Sequence, residues 1–404
     1  MTRTLRNRLG SADAVVAGLG AMIGAGLFAG LAPASALAGR WLLLGMVIAA
    51  ALAALTCCTT DDQASAFPGS GGGYRYTREQ LGRWPGRTAG GLYLTSRAAA
   101  AAALAGCFGE YVSPERPALP AVGVLVVAVA ADVLGVRPSR TVGRALTVFV
   151  LVVLALVVAA CLAIAPPPPT GVTPPPGTPG LDDPANLLPA AGVLFFAFLG
   201  FEQIAAPGPE QPRLRRPRVV IPVLLGVALG TYLLVGYAVL RQLGPTRLAL
   251  STVPLRDALD AADASLLDPL VTIAALVATA VGLLLVVGGG SRTADAMADK
   301  GDLPAFGVLT RVLIGGGAVL GVLFAGPADM IELAATCAMF YYAFSNAAGR
   351  LLSGEQRSWP TRTACFGLGL AVLVAMSMPG VDLAIALVVA VLAAAAGPLV
   401  KARR

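Results

Sequence analysis

What most constrains this chain is a succession of apolar stretches, each long enough to cross a bilayer. Twelve can be marked, at about 12–38, 41–60, 88–112, 118–136, 142–165, 187–206, 218–240, 267–290, 307–326, 328–349, 363–380 and 382–400. A helix needs roughly 20 apolar residues to span the hydrocarbon core. Only 13% of the 404 residues are charged, against about 25% in a soluble domain. Backbone exposed to lipid must satisfy its own hydrogen bonds, so the spans are helices, and no alternating pattern suggests a barrel. The sequence therefore predicts an all-α polytopic membrane protein with about 12 transmembrane helices.

The basic residues sort with this count. If the N-terminus lies inside, 23 Lys and Arg fall on inner segments and 5 on outer ones, while Arg97 lies within the third span. Every inner segment is basic, from Arg3, Arg6 and Arg8 at the start to Lys401, Arg403 and Arg404 at the end. That asymmetry predicts an even number of spans with both termini cytoplasmic. The net charge of +7 is thus a matter of membrane side and implies no nucleic acid. Histidine is absent, which excludes histidine metal sites, serine–histidine catalysis and histidine proton relays. The six cysteines lie mostly in apolar runs without metal-ligand spacing and read as small buried hydrophobes. No metal, cofactor or catalytic group is expected. The first apolar run is long and follows a basic start, so it reads as a retained helix rather than a signal peptide. The proline-rich stretch 166–179 reads as an extended outer spacer. The outer stretch 241–266, with Asp257, Asp260 and Asp263, has room for a short surface helix. Heavy use of Ala and Arg suits a bacterial chain, and hence the inner (plasma) membrane.

Two spans are unusual inside. Residues 18–30 read GLGAMIGAGLFAG, with Gly at 18, 20, 24, 26 and 30. Each Gly costs about 1 kcal/mol against Ala in a helix interior. Such a stretch either lets helices pack closely or breaks the helix so that a ligand reaches the backbone. Residues 192–208 read GVLFFAFLGFEQIAAPG, with Gly200 in mid-span and Glu202 two residues on. A carboxylate at that depth costs about 2.5 kcal/mol or more on insertion scales. Glu202 either carries a proton or caps the amides of a broken helix. The two segments are the first and sixth, equivalent places in two five-span halves, and an odd number of spans inverts the second half. Paired breaks in an inverted repeat point to a secondary-transporter site. A half-helix N-terminus offers N–H groups to a carboxylate, and a half-helix C-terminus offers carbonyls to an ammonium. Together they suit a zwitterionic amino acid.

Five motifs then carry a resemblance. Gly20 to Phe28 resembles GxxIGxGIF, and Phe67 to Tyr74 (FPGSGGGY) resembles P-x-S-G-G-x-Y. Phe195 to Glu202 resembles FFAFxGFE, and Pro209 to Pro222, with Glu210, Pro212 and Arg215, resembles E-x-x-x-P-x-R-x-x-P. Ser291 through Met297 to Pro304 resembles S-R-x-x-x-x-M-A-x-D-G-x-L-P. In this order they are similar to the amino acid–polyamine–organocation superfamily of permeases, and cover residues 12 to about 304. The resemblance implies a leucine-transporter-type fold. It is one transporter domain over 1–404: a 5+5 inverted repeat (about 12–165 and 187–349) with helices 1 and 6 broken, plus two C-terminal helices at about 363–400. It also implies that Ile23, Gly24, Ala25 and Gly26 bind the substrate carboxylate by backbone. Carbonyls near Met22, Phe196 and Leu199 would take the amine, with Ala197 and Gly200 also in the substrate site, Phe196 would close over it, and Glu202 would couple a proton.

There are departures from the family pattern. Helix five lacks the lysine of many proton-coupled members, and Val153 stands near its place; Arg144 lies too near the inner end. Asp61 and Asp62 stand where relatives have Tyr-Ala-Glu. Arg97 would pair with a carboxylate, snorkel, or meet an acidic substrate. The expected function is secondary active transport of amino acids by alternating access. Amino acid or related amine is the substrate, the proton is the expected coupling ion ahead of sodium, and the lipid bilayer is the surrounding partner. An exchanger or uniporter is the alternative. Of other classes, a fluxless sensor or accessory subunit keeps the fold, and an enzyme is disfavoured by the missing His. A neutral substrate is favoured, because no acidic pair awaits a cationic side chain.

Overall fold

The computed structural model describes residues 11–136, 139–167, 183–206, 216–304 and 307–401. The N-terminal arginines, most of the proline-rich stretch and the 209–215 part of the inner-loop motif lie outside the described residues. Among the described residues the chain is helical, with no strand. In chain order the helices are α1 (Ser11–Gly26), α2 (Leu31–Ala38), α3 (Leu42–Ala66), α4 (Gly72–Leu81), α5 (Arg83–Val112), α6 (Ala118–Val133), α7 (Arg140–Ala163) and α8 (Leu187–Phe195). A 3-10 turn, Phe196–Phe198, leads to α9 (Glu202–Ala205). Then follow α10 (Pro217–Leu250), α11 (Pro254–Ala261), α12 (Asp268–Asp299), α13 (Val308–Phe324), α14 (Pro327–Gly349), α15 (Thr361–Ala375) and α16 (Gly380–Lys401).

Among the described residues, four stretches suffice by length and composition to cross a membrane: Leu31–Ala66, Arg140–Ala163, Pro217–Leu250 and Ser265–Asp299. Six further apolar helices are shorter. The short ones include α1 and α8, which stop at interruptions. The α5 helix is long but carries Arg83, Arg87, Arg97 and Glu110. Around the bundle, large apolar side chains face outward, among them Val148, Val152 and Leu156 of α7, Leu234 of α10, and Leu387 and Val391 of α16. A soluble monomer rarely exposes contiguous apolar surface on this scale; here it belongs against lipid.

The α5 helix runs through the middle, packed against α4, α6, α12, α13, α14 and α16. Its sequence explains this position. Ala99 to Ala105 are almost wholly buried, and small residues let helices approach closely where lipid removes any hydrophobic drive for association. Three features were less visible in the sequence. The α4 helix is distinct from α5, separated from it by Gly82. The α10 helix continues past the expected end, through a kink at Gly244, to Leu250. The short helix within 241–266 is α11, confined to Pro254–Ala261 and buried along the face of Leu255, Ala258 and Leu259.

Both unusual segments are interrupted, but differently. In the first, α1 runs on through Ile23, Gly24, Ala25 and Gly26, and the irregular residues are Leu27 to Gly30. The break thus lies just beyond the residues expected to unwind. The Gly30 N–H still donates to the Gly26 carbonyl at 2.8 Å. An unsatisfied backbone group in lipid costs several kcal/mol, more than the roughly 1 kcal/mol propensity penalty of each Gly, so helical bonding persists. In the second, α8 tightens into the 3-10 turn, Leu199 is extended, and Gly200 has φ +119°. That region is open to Gly and strained for other residues.

Candidate functional site

The two interruptions meet backbone to backbone. A Cβ on Gly26 would lie 1.8 Å from the Cα of Ala197, and one on Gly200 would lie 2.5 Å from the carbonyl oxygen of Ala21. No side chain larger than hydrogen fits at either crossing. The 3-10 turn is fixed by neighbours: the Tyr232 hydroxyl donates to the Ala197 carbonyl at 2.8 Å, and the Leu199 N–H donates to the Phe196 carbonyl at 3.1 Å. Phe195, Phe196, Phe198 and Phe201 are fully buried around it, with Phe198 edge-on to Tyr232 at 5.1 Å.

Glu202 opens α9 directly beside this crossing. Its Oε2 accepts from the Gly200 N–H at 3.1 Å and from the Tyr342 hydroxyl at 2.9 Å. Its Oε1 pairs with Nη1 of Arg97 at 3.0 Å, the side chains being 14% and 3% exposed. The Arg97 guanidinium also lies over the Tyr93 ring, 4.7 Å from its centroid, a favourable cation–π arrangement. Glu202 therefore caps the broken backbone and neutralises a buried cation at once. Arg97 pairs rather than snorkels, because α5 is surrounded by other helices.

Three cavities surround the crossing. The first, about 590 Å³ including its mouth, is lined by Gly69 to Gly73, Thr60, Tyr93, Glu202, Gln203, Arg292, Tyr341 and Tyr342 among others. The second, about 340 Å³, is lined by Ala21, Arg97, Ala100, Phe196, Leu199, Gly200, Gln203, Gly282, Leu285 and Val286. Gln203 belongs to both linings and accepts from Nη2 of Arg292 at 3.2 Å. The third, about 270 Å³, lies against α7 and includes Gly20, Ile23, Thr147 and Val150.

The expected site residues thus separate. Phe196, Leu199 and Gly200 line the second cavity and Glu202 the first. Ile23 faces the third, Met22 is fully buried, and Gly26 and Ala197 occlude each other. Gly24 and Ala25 are in the last turn of α1. The sequence reading missed Gln203, Tyr93 and Tyr342; the first adjoins Glu202, but nothing in their sequence context marks the two tyrosines. Asp61 and Asp62 line none of these three cavities. They accept from Trp359 Nε1 and from the Ser358 and Trp359 N–H groups, and so hold the α14–α15 connection.

A second charge cluster lies at the basic end of the bundle. Asp302, whose side chain is fully enclosed, accepts from Arg78 Nε at 2.6 Å, Arg87 Nε at 3.0 Å and the Tyr74 hydroxyl at 2.7 Å, with Arg83 at 3.7 Å. Burial opposes its ionisation, but the hydrogen bonds from Tyr74, Arg78 and Arg87 outweigh it and hold the carboxyl below the usual carboxylate range. The cluster ties the end of α12 to α4 and the start of α5.

An outward-apolar helical bundle whose two interrupted helices cross at a buried charge pair has the character of a membrane transporter. The sequence model of a family described as amino acid permease matches residues 9–393, so the chain belongs to that family, within the amino acid–polyamine–organocation superfamily. Uncharacterized transporters of Mycobacterium bovis and Mycobacterium tuberculosis are each 38% identical over 399 residues, covering 93% of this chain and 87% of theirs. The branched-chain amino acid permease BcaP of Bacillus subtilis is 24% identical over 336 residues, covering 77% of this chain and 70% of its own.

Proposed function

We propose that this permease moves amino acids or related amines across a bacterial inner membrane by alternating access, in symport with protons. The observation that carries the reading is the backbone-to-backbone crossing of the two interrupted helices beside Glu202. In this reading α1–α7 and α8–α14 are the inverted repeats, and α15 and α16 are additional. As the crossing opens during the transport cycle, the backbone of Met22–Gly26 and Phe196–Gly200 takes the carboxylate and ammonium of the substrate, and Phe196 closes over it. The basic end of the bundle faces the cytoplasm with both termini, and the cavity lined by Gly69–Gly73 and Arg292 is the inner vestibule. Glu202 is the proton carrier: it bonds the Gly200 amide at the break, so its charge state acts directly on the geometry of the site. The name of the Bacillus subtilis relative supports an amino acid as substrate.

The test is uptake of labelled amino acids into proteoliposomes of the full chain, with and without a pH gradient. Gradient-driven accumulation is expected, and Glu202→Gln should remove that accumulation while leaving counterflow exchange. Absence of binding, uptake and exchange for every amino acid and amine overturns the transport reading. Undiminished gradient-driven uptake by Glu202→Gln overturns the coupling role alone.

A further inference from the structure

Arg97 is only partly used by the protein. Nη1 bonds Glu202, but Nε and Nη2 are buried and have no hydrogen-bond partner among the described residues. These two nitrogens form one edge of the guanidinium, the edge that meets a carboxylate in a bidentate fork. Leaving charged donors buried and unpaired is costly, and Arg97 also lines the second cavity, between Phe196, Gly200 and Gly282. The rest of that cavity's lining is apolar apart from Gln203.

Resting on the transport reading, we propose that Arg97 anchors a second carboxylate, so that the preferred substrates are amino acids with an acidic side chain. The α-carboxylate and ammonium stay with the broken backbone, and the side-chain carboxylate takes the free Nε–Nη2 edge. The sequence favoured a neutral over a cationic substrate for want of an acidic pair; that argument leaves an anionic one open, and an unpaired guanidinium edge selects it. A neutral amide side chain would satisfy only part of the fork and forgo the charge.

The test is competition binding and proteoliposome uptake by the full chain with L-glutamate and L-aspartate, their amides glutamine and asparagine, and leucine. Wild type should prefer the acids over the amides by about 10- to 100-fold, the range set by hydrogen bonds to charged groups. Arg97→Gln should lose this preference, and Arg97→Lys, which keeps charge without the fork, should retain a small part of it. Glu202→Gln, which leaves Arg97 without its internal anion, should bind glutamate more tightly than wild type. Wild-type selectivity decides the matter even if the Arg97 variants fail to fold. Uptake of leucine or glutamine without competition by the acids overturns the anchor and leaves the transport reading standing. Failure to take any amino acid overturns both.

Discussion

Among the described residues, two buried clusters of arginine and carboxylate stand out, and they are built differently. Around Asp302, three arginines and a tyrosine converge on one carboxylate, so the acid is saturated. Around Arg97, one carboxylate and one ring face meet a guanidinium, and two of its nitrogens stay unpaired. A saturated buried cluster resists change, since removing one member strands the others. An incomplete one at a cavity has capacity for a ligand. The first sits where α4, α5 and the end of α12 join, and acts as a latch. The second sits where the interrupted helices cross, the place a transporter must remodel.

Breaking the latch should have the largest effect. Asp302→Ala leaves Arg78, Arg83 and Arg87 uncompensated, and should cost about 3–5 kcal/mol of stability, read as a fall in the melting temperature of the detergent-purified chain. The pH dependence has a definite sign. The carboxyl of Asp302 is held below its ordinary value in the folded chain. Its contribution is therefore full above about pH 3.9, the unfolded value, and is lost as pH falls through the lower folded value. The stability gap between wild type and Asp302→Ala should stay constant from neutral pH down to about pH 4 and narrow below it. A gap that widens in acid would show that Asp302 is not the saturated acid described here.

The Arg97–Glu202 pair should respond more mildly once both charges go together. Arg97→Gln alone strands Glu202 and should destabilise strongly, whereas Arg97→Gln with Glu202→Gln should recover most of the loss, because a buried pair repays little more than its own desolvation. A double variant as unstable as the sum of the singles would end the contrast between latch and site. The smallest change is Tyr342→Phe, which removes one hydrogen bond to Glu202 and should cost about 0.5–1.5 kcal/mol in the same melting assay. A larger loss would mean that the site is as rigidly closed as the latch.

The sequence foretold unevenly. Apolar runs named the helices, since composition alone decides what a bilayer accepts. The Gly200–Glu202 step was legible because a lone acid and a Gly in mid-span both carry a cost that something must repay. The latch was not legible: Asp302 lies 224 positions from Arg78, and no local pattern announces that distance. The α1 interruption was legible in kind but misplaced in register, because Gly clusters measure propensity alone, while lipid penalises every open backbone group.

The sequence by itself determined an all-helical membrane protein, its family, and the two segments at which regular helix is disfavoured. These follow from local costs, namely transfer of side chains into lipid and backbone propensity. Only the tertiary structure decided that Gly26 and Gly200 are the points of contact, that Ile23 turns toward α7, and that Glu202 finds Arg97 and Tyr342. Those outcomes depend on how distant helices pack, and there a few ångströms decide which donors meet an acceptor and which edge of a guanidinium is left over.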